Sequence, residues 1–108
     1  PDMWSSYQYA GAAARAANAL KSRDPKLAQT YQESALRAMA FGERQAANKT
    51  IGKVERDSRN LAALELYRLT GDSSWHQLFL QTTMFKDPQK DVFVWDEHDQ
   101  RDAAFLYA

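Results

Sequence analysis

The sequence predicts an all-α fold built from antiparallel helical hairpins. Three observations carry that expectation. Long stretches are rich in strong helix formers, Ala above all, with apolar residues at three- and four-residue spacings. Helix start and stop signals recur between these stretches, as Asp24-Pro25 and Gly71-Asp72. Sustained apolar/polar alternation of the strand type is almost absent.

The first helix is expected over residues 5–20, where Tyr7, Tyr9, Ala10, Gly11, Ala12, Ala13, Ala14, Ala16, Ala17, Ala19 and Leu20 leave few polar positions. Ser5 or Ser6 is the expected cap. A helix apolar around most of its girth is buried on several sides, and its small side chains let neighbours approach closely. Asp24 as N-cap and Pro25 at the first helical position open a second, amphipathic helix to about Ala47, with Leu27, Tyr31, Ala35, Ala38 and Met39 on its apolar face. Asn48 to Val54, with Gly52, reads as a loop. A third helix is expected over about residues 57–70, with Ala62, Leu66 and Leu69 on one stripe. Gly71 then takes a left-handed C-terminal position and Asp72 caps a short fourth helix with Trp75, Leu78 and Phe79 inward. Lys86-Asp87-Pro88 stops any continuation. Val92 to Trp95 reads as extended, and a final helix begins near Asp99. Hairpins of a small-residue helix and an amphipathic one stack as solenoids or close into toroids, and the pattern alone leaves both open.

Composition narrows the function. Fourteen basic residues balance fourteen acidic ones, so the chain has no cationic excess for phosphate neutralisation, and neither nucleic acid nor an anionic membrane surface is an expected partner. No apolar run approaches the ~20 residues of a spanning helix. With no cysteine, disulfides, thiolate metal sites and a cysteine nucleophile are excluded. Position 1 is not methionine and the sequence closes on Phe105-Leu106-Tyr107-Ala108, an apolar run. Residues 1–108 are therefore read as a single segment of a longer polypeptide.

The run Asp57-Ser58-Arg59-Asn60-Leu61-Ala62-Ala63-Leu64-Glu65-Leu66-Tyr67-Arg68-Leu69-Thr70-Gly71-Asp72 resembles the Ala-Ala-x-Glu-Leu-Tyr-x-x-Thr-Gly-Asp helix and turn of (α/α)6-toroid glycan-active enzymes, above all family 9 glycoside hydrolases of the cellulase type. Ser5 to Ala16 is similar to that family's Ala-rich inner helix, Asp24 to Gly42 to its outer partner, and Trp95-Asp96 followed by Ala103 to Ala108 to a tryptophan–aspartate loop entering another barrel helix. The resemblance covers nearly the whole chain. It implies a secreted or periplasmic parent that cleaves β-1,4-glucan by inverting hydrolysis, with one carboxylate as base for water and another as general acid. No Asp-Ala-Gly-Asp-like or Arg-Pro-His-like motif is present. The segment is thus expected to hold no catalytic residue, to shape the substrate cleft, and to associate with the rest of its domain or with itself.

The resemblance also implies a structural calcium, with Asp57 and Asp96 matching two ligand positions and Ser58 standing where a glutamate ligand belongs. No cofactor is otherwise required. Trp95 is the candidate sugar-stacking platform for the polysaccharide substrate, ahead of Phe93 and Trp75, because residues at helical spacing such as Trp75 and Phe79 serve the core. Asp96, Glu97, Asp99 and Asp102 could form a cation or acid/base set, but they fit better a solvated loop before a helix N-terminus. His76 reads as a surface residue; His98, between Glu97 and Asp99, as a ligand or proton carrier. Arg37, Arg44, Lys49, Lys53, Arg56 and Arg59, interspersed with Glu43 and Glu55, read as a solvated face. Two rival functions remain: another helical-toroid carbohydrate enzyme (lyase, epimerase or unsaturated-glycoside hydrolase), and a helical-repeat scaffold for a protein partner, although no fixed repeat period is present.

Overall fold

A computed structural model describes residues 2–83, 93–94 and 98–107. The fold is all-α apart from one minimal ladder. Helix α1 spans Met3–Leu20, α2 Pro25–Ala47, α3 Lys53–Thr70, α4 Ser73–Thr82 and α5 Arg101–Tyr107. Strands β1 (Phe93–Val94) and β2 (His98–Asp99) pair antiparallel, Phe93 opposite Asp99 and Val94 opposite His98. Among the described residues no helix is long and apolar enough to cross a membrane.

Helix boundaries follow capping chemistry. Asp24 Oδ1 accepts from Leu27 N at 3.1 Å with Pro25 in the first turn. Gly71, at φ 73°, closes α3 by donating to Tyr67 O, and Asp72 accepts from Ser74 N to open α4. Three starts differ from the expectation. Asp2, not a serine, caps α1, accepting from Ser5 N at 2.7 Å, so the helix begins two residues earlier. Helix α3 starts at Lys53 behind Gly52, one turn before Asp57, leaving a loop of residues 48–52 only. The last helix opens at Arg101 rather than near Asp99. The Lys86-Asp87-Pro88 stop lies outside the described residues; α4 ends at Thr82, with Thr83 extended.

Packing skips a helix at the first step, where α1 packs on α3 across α2. α1 lies against α2 and also against α3; α3 lies against α4 and also touches α5, while α2 and α3 barely meet. Small residues make the α1 seams close: Ala10, Ala14 and Ala17 are fully buried, as are Ala35 on α2 and Ala63 on α3. Met39, Leu64, Leu66 and Phe79 fill the rest of the core. Tyr7 is also fully buried, and its ring runs flat past Gly42. A Cβ at Gly42 would sit 2.8 Å from Tyr7 Cε1, whereas one at Gly11 would meet Ala62 Cα at an ordinary 3.5 Å.

These two glycines therefore separate packing from helix propensity. Gly42→Ala forces the buried Tyr7 ring to move and lowers stability by about 1–3 kcal/mol, the range for overpacked cores. Gly11→Ala leaves stability unchanged or gains up to about 1 kcal/mol from helix propensity. Urea unfolding of both variants measures the difference, and equal effects at the two sites contradict the steric account.

Candidate functional site

A groove of about 570 Å³ runs between α1 and α3, lined by Tyr7, Gln8, Ala12 and Arg15 from one helix and Ser58 and Glu65 from the other. Small side chains let the helices approach but leave the groove walls low. Its one embedded acid is Glu65, only 2% exposed. Glu65 Oε1 accepts from Arg68 Nη1 at 3.2 Å, and Oε2 lies 4.0 Å from Arg15 Nε. Burial pushes the Glu65 carboxyl above its ordinary range, and the two arginines, both well exposed, pull it back only in part. A cleft carrying a carboxyl of raised pKa makes this groove the candidate site of the described residues.

Behind the groove a second glutamate meets the opposite fate. Glu43, on α2, accepts from Tyr7 Oη at 2.6 Å and from Arg59 twice, at 2.7 Å to Nε and 2.9 Å to the terminal nitrogen. Burial works to raise the Glu43 carboxyl, but the Arg59 and Tyr7 hydrogen bonds outweigh it and hold the group below its ordinary range. Burial, followed by the carboxylate, drives the Tyr7 hydroxyl well up. Glu43 and Arg59 are thus a half-buried ion pair tying α2 to α3, which corrects their assignment to a solvated face.

A smaller cavity, about 270 Å³, holds Asp57, Ser58, Gln100 and Asp102 together with Gln8. Gln100, 2% exposed, donates to Asp57 Oδ1 at 3.2 Å and to Thr82 O at 2.9 Å, while its Oε1 accepts from Thr83 Oγ1 at 3.3 Å. Asp57 also lies 4.0 Å from Arg56 Nε. Asp57 therefore bridges α3 to the start of α5. Calcium takes six to eight oxygens. Among the described residues no group of three or more His, Cys, Asp or Glu side chains is placed to hold a metal. Asp57 and Asp102 alone do not make a calcium set. The second expected ligand, Asp96, and the expected sugar platform, Trp95, lie outside the described residues.

His76 is not a simple surface residue. Its ring stacks on Tyr67 at 4.7 Å between centroids and on Tyr107 at 5.7 Å, and Nε2 shares a 2.9 Å hydrogen bond with Tyr107 Oη. This stack joins α3, α4 and α5. Sequence reasoning missed Glu65, Arg15, Glu43 and Arg59. The signal for Glu65 is its place on the apolar stripe: it follows Ala62 by three positions and adjoins Leu66, so a stripe-facing carboxylate was readable there.

The two glutamates predict opposite pH responses. For Glu65 the folded pKa is raised, so stability is fully present below the ordinary value of about 4.3 and is lost as pH rises through the raised folded value. For Glu43 the folded pKa is depressed, so stability is present above the ordinary value and is lost as pH falls through the depressed one. Glu65→Gln removes the loss on the alkaline side and stabilises the chain at neutral pH. Glu43→Gln destabilises it there and flattens the acid limb. Thermal midpoints of the three proteins across the acid range test both signs, and a wild-type slope retained in either variant refutes its assignment.

Compared with protein-family models, with curated proteins and with solved structures, the chain matches none of them.

Proposed function

We propose that this chain is one wall of the catalytic domain of a family 9, cellulase-like glycoside hydrolase, an (α/α)6 toroid that cleaves β-1,4-glucan by inverting hydrolysis. The observation that carries the reading is the skipped adjacency of α1 beside α3, with α2 as the flanking partner of α1 and α4 that of α3. Hairpins that pack this way extend sideways, as they do in solenoids and toroids. The small-residue stretch and the Glu-Leu-Tyr-x-x-Thr-Gly-Asp element fall on the two most intimately packed helices of the row, α1 and α3. The apolar groove between them is surface of the kind that faces substrate or further helices.

In this reading the two carboxylates that activate water and protonate the leaving oxygen lie outside the segment. Residues 1–108 shape the cleft, and Trp95 stacks on one sugar ring. The decisive assay takes the natural polypeptide that carries this segment with its flanks, supplies β-1,4-glucan, and follows the first products by proton NMR. Initial release of the α-anomer from the β-linked substrate is expected. Retained configuration, or no glucan cleavage, overturns the reading. Cleavage of uronic-acid polymers instead favours a lyase-type toroid. The apolar groove also suits a partner-binding helical scaffold, and the 108 residues melting cooperatively as a monomer favours that reading.

The calcium ligands Asp57 and Asp96 belong to the same proposal and are tested separately. Calcium raises the thermal midpoint of the parent, a chelator reverses the rise, and Asp57→Asn abolishes it. A midpoint indifferent to calcium removes the metal from the proposal and leaves the glycosidase reading standing.

A further inference from the structure

The loop between α2 and α3 carries a feature independent of the groove. Of the three asparagines, Asn18, Asn48 and Asn60, only Asn48 is followed at the second position by a hydroxyl residue, as Asn48-Lys49-Thr50, and the intervening residue is not proline. That triplet is the acceptor pattern for N-linked glycan, and it requires an exposed, non-helical site in a secretory compartment. The structure meets the geometric part. Asn48 is the C-cap of α2 and residues 48–52 lie in neither helix nor strand. Residues 47–50 are all exposed. The side-chain amide makes one long hydrogen bond, from Nδ2 to Arg44 O at 3.3 Å, itself exposed and readily given up.

We propose that Asn48 is an N-glycan acceptor. In the transfer, Asn48 Nδ2 forms a bond to the anomeric carbon of an oligosaccharide carried on a lipid pyrophosphate. The bond from that carbon to the pyrophosphate oxygen breaks, its electron pair leaves with the lipid pyrophosphate, and the amide gives up one proton. Thr50 is the recognition residue for the transferase, whose active site accepts the Asn-x-Thr triplet in an extended or turn conformation. No residue of the 44–52 stretch lines the α1/α3 groove, so a glycan here leaves that groove uncovered. The site thus shields the helix junction without blocking the surface assigned to substrate or neighbouring helices.

The test expresses the full chain with a secretion leader in eukaryotic cells and analyses both the secreted and the cell-retained protein. Expected is a mass increase removed by an amide-cleaving glycosidase, which converts Asn48 to aspartate and marks the position in peptide mapping. Thr50→Ala, which keeps the Asn48 cap intact, abolishes the increase; Thr50→Ser retains it. Translocated wild-type chain without glycan, or glycan that survives Thr50→Ala, overturns the assignment.

Discussion

The structure depends first on how Glu43 is satisfied. A carboxylate half withdrawn from water has to be paired, and here three helices converge to pair it: Tyr7 from α1 and the forked guanidinium of Arg59 from α3 both reach the one side chain on α2. The fork fixes direction as well as distance, because two parallel N–H donors fit a carboxylate in one orientation. Tyr7 also has to bring its hydroxyl to that point while its ring stays buried, and only the missing side chain of Gly42 leaves space for the ring. Once these positions are set, the register of α1 on α2 and on α3 is set too. Gly11 then falls opposite Ala62, at the distance where a methyl group would just touch.

That register has a cost in shape. Helices joined through Ala10, Ala14, Ala17 and Ala63 come close, but such side chains reach no further than the seam. Between α1 and α3 they leave the groove, with Glu65 embedded in it. Glu43 and Glu65 are the same residue type in helices of one small fold, yet their environments push them apart. Two short bonds from one guanidinium keep Glu43 charged, whereas Glu65 has one bond of 3.2 Å and one approach of 4.0 Å from arginines that face water. Exposed arginines give little in exchange for desolvation.

Much of this was legible in the residues. Asp24-Pro25 and Gly71-Asp72 each carry their own local mechanism, so the start of α2, the end of α3 and the start of α4 followed from chemistry within a few positions. The start of α3 was not legible, because Lys53 to Arg56 has no capping side chain before it and gains its helical state from the helix it extends. The ion pair of Glu43 and Arg59 was hidden for a related reason. Each residue alone sits in a charged stretch that looks solvated, and only the skipped packing of α1 on α3 brings them together from opposite sides of a loop. Likewise His76 has the surroundings of a surface residue in sequence, and its stack forms only when Tyr67 and Tyr107 arrive from other helices. Of Asp57, Trp95 and Asp96, only Asp57 falls among the described residues, and there its carboxylate serves as a bridge to Gln100.

The two seams around α3 bury polar groups by different chemistry. Between α1, α2 and α3 the polar link is ionic. Between α3, α4 and α5 it is largely neutral: Asn60 donates to Phe79 O and to Thr82 Oγ1, and Gln100 holds Asp57, Thr82 and Thr83. Amides do not titrate, so acid that protonates Glu43 loosens the first seam while the bonds from Asn60 and from Gln100 to Thr82 and Thr83 persist in the second. The second seam is also less close, since α5 is anchored by buried Ala103 and by the aromatic stack through Tyr107, while Phe105 stays 88% exposed. The α1/α3 groove and Phe105 on α5 leave apolar surface in water. Further helices of a stacked row or of a closed ring would cover such surface equally well, so the exposed faces mark where the packing extends and not which of the two arrangements it takes.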